Sequence, residues 1–388
     1  MQDSGFASPR LLAETDLELI DALQIDPRAS WVDVGAAIGA DPVTAARRWQ
    51  RLNDAGEAWT TVALGRRQMN AMSMAFLEID CAAGAAVEVA HTLATVEHLI
   101  TVQHLAAGPD LFVIAVAASM PALADYLLTD LPRVPGVAKV RAHVATRVFE
   151  ASRRWRLRVL SPRSVRALAG RPGRPGPPAA GGPMDETDRL LFRALLADGR
   201  AGHTELARAV GRSERTVRRR MSRLVAAGDI DFRCDLARSH AGWHSSAVLW
   251  LRMPDGLLEE TGRALLDWPE TRTCAALAGS RNMLLTVGLH TVSDLHPLVV
   301  RLEERFPYVR VDDRQLVLRQ SKLYGRLLDP TGRAVGVVPV DPWSLSSHAR
   351  GSAWRGNRAA TALPAQADPQ HVGLAAADDL QVADGQGG

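Results

Sequence analysis

The sequence predicts a mixed α+β chain in which one two-part unit, a three-helix head followed by a βαββαβ sandwich, is written twice. Three observations lead there. Residues 14–59 and 186–231 align without a gap at 18 of 46 positions, where composition alone would give roughly three. Each copy opens with three short apolar periodicities of helical spacing, separated by glycine. Downstream of each, strand-like and helix-like patterns follow in the same order. With the repeat offset by 172 residues in a chain of 388, each half is long enough for its own core.

In the second copy Asp185 or Thr187 caps a helix running to about Ala197, with Leu190, Leu191, Ala194 and Leu195 on one face. Gly199 and Gly202 break it. Thr204 then caps a short helix to about Val210, and Gly211 ends that helix in the left-handed conformation that glycine adopts without strain. Ser213 caps a third helix to about Ala227, with Glu214 in its first turn and Gly228 as its stop. Helix, short helix, tight turn and an arginine-bearing helix make the helix-turn-helix pattern.

Projected at helical spacing, residues 214–226 turn Val217, Met221, Leu224 and Val225 inward. Arg215, Thr216, Arg219, Ser222 and Arg223 face outward, and Arg218 and Arg220 flank them. This places base-reading groups at the centre and phosphate contacts at the sides. In the first copy Ala45, Trp49 and Leu52 point inward, while Val43, Thr44, Arg47, Gln50 and Arg51 point outward, with Arg48 at the position of Arg220. The first copy carries a net charge of −5 and the second +3, so the second is expected to dominate any phosphate binding.

The sandwich of the first copy reads as a strand over 72–80, a helix over 85–96, strands over 98–105 and 111–118, a helix over 121–131 and a strand over 137–149. The second reads as a strand over 245–253, a helix over 257–267, strands over 271–277 and 283–290, a helix over 292–306 and a strand over 309–319. A split βαβ order builds a four-stranded antiparallel sheet with both helices on one face, a ferredoxin-like arrangement. Its bare face gains about 25 cal/mol per Å² when covered, so the two copies are expected to pair through their sheet faces as a pseudo-dimer.

Residues 161–183 are dominated by proline and glycine, and from Ala151 to Met184 there are eight arginines and no acid, which reads as a solvated linker. Beyond about Ser344 no pattern survives and disorder is expected. The expected domains are a head at 11–60, a sandwich at 68–158, a linker at 159–184, a second head at 185–232, a second sandwich at 241–328 and a tail at 344–388.

Cys81, Cys234 and Cys274 show no metal or disulfide spacing, and only two of 46 basic residues are lysines, Lys139 and Lys322. No apolar run has the length of a membrane helix and no signal-peptide pattern opens the chain, so no membrane partner and a cytoplasmic location are expected. P-loop, HExxH, GxSxG and dinucleotide motifs are missing, and neither a cofactor nor a catalytic set is expected.

These residues carry a resemblance. Each half resembles a whole member of the leucine-responsive regulatory protein/AsnC (Lrp/AsnC) family of prokaryotic transcription factors. The marks are D-x-x-x-x-x-x-L then D-x-R-A at Asp16–Leu23 and Asp26–Ala29, repeated at Asp188–Leu195 and Asp198–Ala201, and the third helix over 213–224. The resemblance spans roughly residues 11–158 and 185–328. It implies helix-turn-helix heads joined to ligand-sensing (RAM-type, dimeric α/β-barrel-like) domains, sequence-specific binding of double-stranded DNA, a small-molecule effector such as an amino acid, and assembly into a homo-oligomer.

The implied DNA contacts are Arg215, Thr216, Arg218, Arg219, Arg220, Ser222 and Arg223, with Thr44, Arg47, Arg48 and Arg51 in the first head. The family's sensor carries a Gly-x-x-Asp turn. Gly279-Ser280-Arg281-Asn282 keeps its spacing with an amide, and Gly108-Pro109-Asp110-Leu111 places the acid one position early. Gly108, Asp110, Gly279 and Asn282 are therefore effector candidates, with an ordinary turn role equally open.

Two other classes remain. The sirohaem decarboxylases resemble these regulators yet act on a tetrapyrrole. Such a role needs a cavity with positioned histidine and arginine side chains rather than a basic exposed helix, and His91, His98, His104, His143, His290 and His296 share no offset between copies. An oligomerisation or ligand-buffering protein with vestigial heads fits the first head better than the second.

Overall fold

The computed structural model describes residues 11–149, 155–169 and 183–345. The first half runs α1 (Glu14–Ile25), α2 (Trp31–Ile38), α3 (Pro42–Asp54), β1 (Ala58–Leu64), α4 (Arg66–Ala71), β2 (Ser73–Cys81), α5 (Ala86–Ala94), β3 (Leu99–Leu105), β4 (Leu111–Ala117), α6 (Met120–Asp125) and β5 (Val137–Phe149). After α7 (Pro162–Ala169), the second half repeats it as α8 (Glu186–Ala197), α9 (His203–Val210), α10 (Glu214–Ala226), β6 (Ile230–Leu236), β7 (Ser245–Arg252), α11 (Leu258–Leu265), β8 (Thr271–Leu277), β9 (Met283–Leu289), α12 (Leu295–Arg305) and β10 (Arg310–Leu323). A hairpin of β11 (Arg326–Leu328) and β12 (Ala334–Val337) follows.

In both heads the second helix ends on a left-handed glycine, Gly39 at φ 67° and Gly211 at φ 63°, which lets the chain turn sharply into the third helix. Asp185 caps α8 and Ser213 caps α10. Thr204 caps nothing: α9 starts two residues earlier than a Thr204 cap would place it, at His203 after Gly202, and the Thr204 hydroxyl donates instead to Glu214 at 2.7 Å.

The sandwiches pair differently from the expectation. Each half has the strand order fourth, first, third, second, and the outer strands join: β5 with β8 and β10 with β3. The pairing is thus edge to edge and closes eight antiparallel strands into a barrel. Ala145 opposes Leu277 at one junction and Val317 opposes Leu105 at the other. Under the 172-residue offset these are the same couple with its halves exchanged. Closure satisfies four sheet edges at once while enclosing both bare faces, whereas face-to-face stacking would cover the faces and leave those edges open.

Alternation along each strand divides the cores. Ala75, Leu77 and Ile79 of β2 pack under α5 and α6, while Met74 and Phe76 point into the barrel beside Phe112 of β4 and Trp250 of β7. Phe112 meets Trp250 edge-on at 6.3 Å and stacks on Phe76 at 6.1 Å. The helix expected over 121–131 changes pitch: α6 passes into a π turn at Tyr126–Asp130 and then a 3-10 turn at Leu131–Arg133, where Pro132 offers no N–H to prolong a helical ladder.

β1 and β6 form a two-stranded antiparallel ribbon between the heads, with Thr61 opposite its own repeat partner Arg233. No strand was expected there. Beside the ribbon, the two D-x-R-A segments clasp each other. Arg28 donates to the carbonyls of Gly199 at 2.5 Å and Ala201 at 3.1 Å, and Arg200 to those of Pro27 at 2.8 Å and Ala29 at 2.9 Å. Asp26 and Asp198 each accept the backbone N–H of their own arginine, which fixes the turn from which it reaches across.

The linker expected over 159–184 is structured in its first part. α7 lies on the first head, with Leu160 and Leu168 in that head's core and the Ser164 hydroxyl donating to Ala37 O at 2.8 Å. Asp21, fully buried, holds the approach by accepting from Arg156 and from the backbone N–H of Val159 and Leu160. One turn of apolar spacing among prolines and arginines was too short to register as a helix. Residues 170–182 lie outside the described residues, as does the expected tail from 346 onward. Leu345 belongs to the first sandwich's core, so the ordered chain runs past 344.

Candidate nucleic-acid interface and effector region

Amphipathicity positions the third helices. Val217, Met221 and Leu224 fix α10 in the second head's core, so its opposite face meets solvent. Arg215, Arg218, Arg219 and Ser222 are exposed there, and the three arginines form no ion pair among the described residues. Thr216 is half-buried and bonded to the capping Ser213, through its hydroxyl at 3.0 Å and its backbone N–H.

Arg220 and Arg223, two of the expected DNA contacts, are also ion-paired within the head. Arg220 Nη1 donates to Asp185 at 2.7 Å and Asp188 at 2.8 Å, and Arg223 pairs with Asp188 as well. They tie α10 to α8, whose Asp188 is 1% exposed. The first head repeats the tie, with Arg51 on Asp16 at 2.6 Å and Glu57 at 3.8 Å. Asp16 and Arg51 sit 172 residues before Asp188 and Arg223. The shared first-helix aspartate and third-helix arginine are therefore one ion pair that sets the helix angle.

What remains for a partner is unequal. Among the described residues Arg47 is the one α3 arginine that is exposed and without an ion pair, Thr44 and Arg48 being half-buried, with Asp41 capping the helix through the N–H groups of Val43 and Thr44. Helix α10 offers three such arginines, Arg215, Arg218 and Arg219, against one on α3 among the described residues.

The effector candidates also resolve into contacts. Asp110 and Asn282 are 172 residues apart and do the same thing. The Asp110 carboxylate accepts the Cys81 N–H at 2.7 Å, and the Asn282 amide oxygen accepts the Met253 N–H at 3.1 Å, each tying down the residue that ends or follows the first strand of its sandwich. The acid of the first copy is thus in register and its glycine is displaced. Asn282 Nδ2 further donates to Met253 O and Asp255, so both side chains are engaged by the fold. Gly108 at φ 77° and Gly279 at φ 129° make the adjoining turns.

Sequence reasoning missed a polar cluster inside the barrel. Glu78 of β2, on the inward face with Phe76, bonds His143 of β5 at 2.9 Å, Arg281 at 2.8 Å and Gln315 of β10 at 3.0 Å. Gln315 also accepts from the Trp250 indole at 3.1 Å. Burial pushes the Glu78 carboxyl up, but hydrogen bonds from His143, Gln315 and Arg281 outweigh it and hold the group down at about 2. The available signal was an acid on an otherwise apolar inward face. The other histidines named above do not join this cluster.

Among the described residues no group of three or more His, Cys, Asp or Glu side chains is placed to hold a metal ion, and no helix is long and apolar enough to cross a membrane.

Comparison with known proteins agrees with this layout. The AsnC-type helix-turn-helix domain matches residues 12–53 and 184–225, and the Lrp/AsnC ligand binding domain matches residues 74–155. An uncharacterized HTH-type transcriptional regulator of Pyrococcus horikoshii is 30% identical over 116 residues, 30% of this chain and 72% of its own length. The HTH-type transcriptional regulator LrpA of Mycobacterium tuberculosis is 30% identical over 121 residues, 31% of this chain and 81% of its own. Across 84% of this chain and 95% of the other, the fold is similar to the siroheme decarboxylase NirDL, with a TM-score of 0.53 and 11% identity. Two heads of AsnC type, a ligand-binding domain of Lrp type and relatives the size of one half show that this chain belongs to the Lrp/AsnC family, its unit written twice.

Proposed function

We propose that the protein is a sequence-specific transcriptional regulator that binds double-stranded DNA chiefly through its second head and responds to a small effector. The observation that carries this is the exposed row Arg215, Arg218, Arg219 and Ser222 on the helix that a helix-turn-helix lays in the major groove. Arg47 of the first head adds a weaker contact. The barrel joins the heads within one chain, so an asymmetric site is read rather than a palindrome, because operator symmetry mirrors protein symmetry. Selection from a randomised duplex library tests this: asymmetric sites with one strong half are the expected outcome, and perfect palindromes reject it. On this reading the protein is not an enzyme, works in the cytoplasm and assembles into homo-oligomers.

One observation favours a second reading, catalysis on a tetrapyrrole: the fold shared with siroheme decarboxylase NirDL over 84% of the chain. At 11% identity the likeness carries the fold alone. An absorbance scan of the purified protein separates the two, since a bound tetrapyrrole has an intense visible band.

A further inference from the structure

Beneath the second head the barrel is not filled. A cavity of about 100 Å³ is walled by Phe76 and Ile114 from the barrel, Val62 from the ribbon, and Phe192 and Leu196 from α8. Its polar wall is Arg233, Arg272, Thr273 and Tyr324, and among the described residues no acid lines it. Arg233 has its counter-ion in Asp235 at 2.8 Å.

Arg272 does not. It is 4% exposed and lies between the indoles of Trp155 and Trp243, 4.3 and 4.4 Å from their centroids. Nη1 donates to Pro269 O at 2.7 Å and Thr271 O at 3.3 Å, while Nε and Nη2 meet no acceptor among the described residues. The nearby Glu270 is paired with Arg301 at 2.8 Å. Burial, with Arg238 adding to it, pushes the guanidinium down to about 8. A buried cation with two unmet donors and no carboxylate is costly, and an anion that enters the cavity relieves that cost.

We propose that this cavity binds a small monocarboxylate with a branched or aromatic apolar body and no ammonium group, its carboxylate received by Arg272 with the hydroxyls of Thr273 and Tyr324 alongside. The guanidinium fork matches a carboxylate in two parallel bonds. The apolar wall takes the body, and the lack of any acid in the lining leaves an α-ammonium without a partner, which excludes zwitterionic amino acids. The site is separate from the Asp110 turn: Met74, near the start of β2, lines the cavity, whereas Cys81, which Asp110 holds, ends the same strand. Phe192 and Leu196 lie on α8, and Asp188 of α8 holds Arg220 and Arg223 of α10, so an occupant stiffens the second head directly. That last step gives the ligand its regulatory meaning and rests on the proposed function.

The test is calorimetric titration of the full chain with phenylacetate, 4-methylpentanoate, phenylacetamide and leucine, with hydrogen exchange of α8 read with and without phenylacetate. Both acids are expected to bind saturably, phenylacetamide and leucine at least about ten-fold more weakly, and α8 amides to exchange more slowly with the acid present. Arg272→Gln is expected to cost at least about ten-fold in acid affinity. Gly288→Ala should act similarly with the guanidinium retained, since a Cβ there would sit 2.5 Å from Arg272 Nη2. Asp110→Asn should leave acid binding unchanged.

Equal affinity for phenylacetate and phenylacetamide, or no acid binding at about 10 mM, overturns the proposal on the wild-type protein alone, whatever the variants do. Unchanged exchange in α8 overturns the coupling. DNA titration of the same samples reports separately on the proposed function, because ligand binding and α8 protection do not require DNA.

Discussion

Replacing Arg215, Arg218 and Arg219 with alanine together removes the three guanidinium groups of α10 that are exposed and unpaired among the described residues, while leaving its buried face intact. Each phosphate neutralised contributes about 0.9 to the slope of log affinity against log salt, so the triple variant should flatten that slope by nearly three units. At about 0.15 M salt one such contact is worth about five-fold in affinity, and three about a hundred-fold. Arg220→Ala with Arg223→Ala removes two arginines from the same helix but with a different consequence. It leaves Asp188, 1% exposed, without its counter-ions, which costs about 3 kcal/mol of stability. The unfolding midpoint should fall by roughly 5 °C with the salt slope changed by less than one unit. The assay is fluorescence anisotropy with a labelled, selected duplex across about 0.05 to 0.3 M salt, alongside thermal unfolding. A larger slope change in the Arg220/Arg223 variant than in the triple variant would refute the division of this helix into a reading row and a structural row.

The remaining predictions follow from contacts within the fold. Arg28→Ala and Arg200→Ala each delete two charged hydrogen bonds to backbone carbonyls, and each should cost about 2–3 kcal/mol by denaturant unfolding; costs differing by more than about 2 kcal/mol contradict a reciprocal clasp. Glu78 falls from an ordinary 4.5 to about 2 in the folded chain, a depressed carboxyl, so its contribution of about 3 kcal/mol is complete above about pH 5 and is lost as pH falls toward 2. In Glu78→Gln that loss should be missing from a stability profile over the same range; parallel profiles exclude the Glu78 cluster as its source. Leu168→Ala opens a cavity between α7 and the first head and should cost about 2 kcal/mol, exposing the 155–169 segment to protease; unchanged resistance argues against docking of α7.

The resemblance between halves, visible as 18 identities in 46 positions, already contained the architecture. Helical spacing and glycine stops located α8 to α10, and strand alternation located β5 and β8 at the boundaries they have in the fold, because local periodicity reports which face of an element is buried. The outward face of α10 was legible for the same reason. Which of its arginines are free was not. Arg220 and Arg223 find Asp185 and Asp188 some 32 to 35 residues away, and a pair at that separation exists only once α8 and α10 have packed. The effector residues show the same limit: Asp110 and Asn282 carry the right chemistry for a ligand, yet both are taken up by backbone N–H groups.

By itself, then, the sequence determined the order and amphipathic sense of the elements, the duplication, and the charge difference between heads, all properties of residues close in the chain. Tertiary structure alone decided that strand edges rather than faces join the halves, that β1 and β6 form a ribbon, that α7 docks, and that Glu78, His143, Arg281 and Gln315 meet inside the barrel. These features depend on unsatisfied edges, donors and charges finding partners across hundreds of residues. Only closure of the whole fold specifies those encounters.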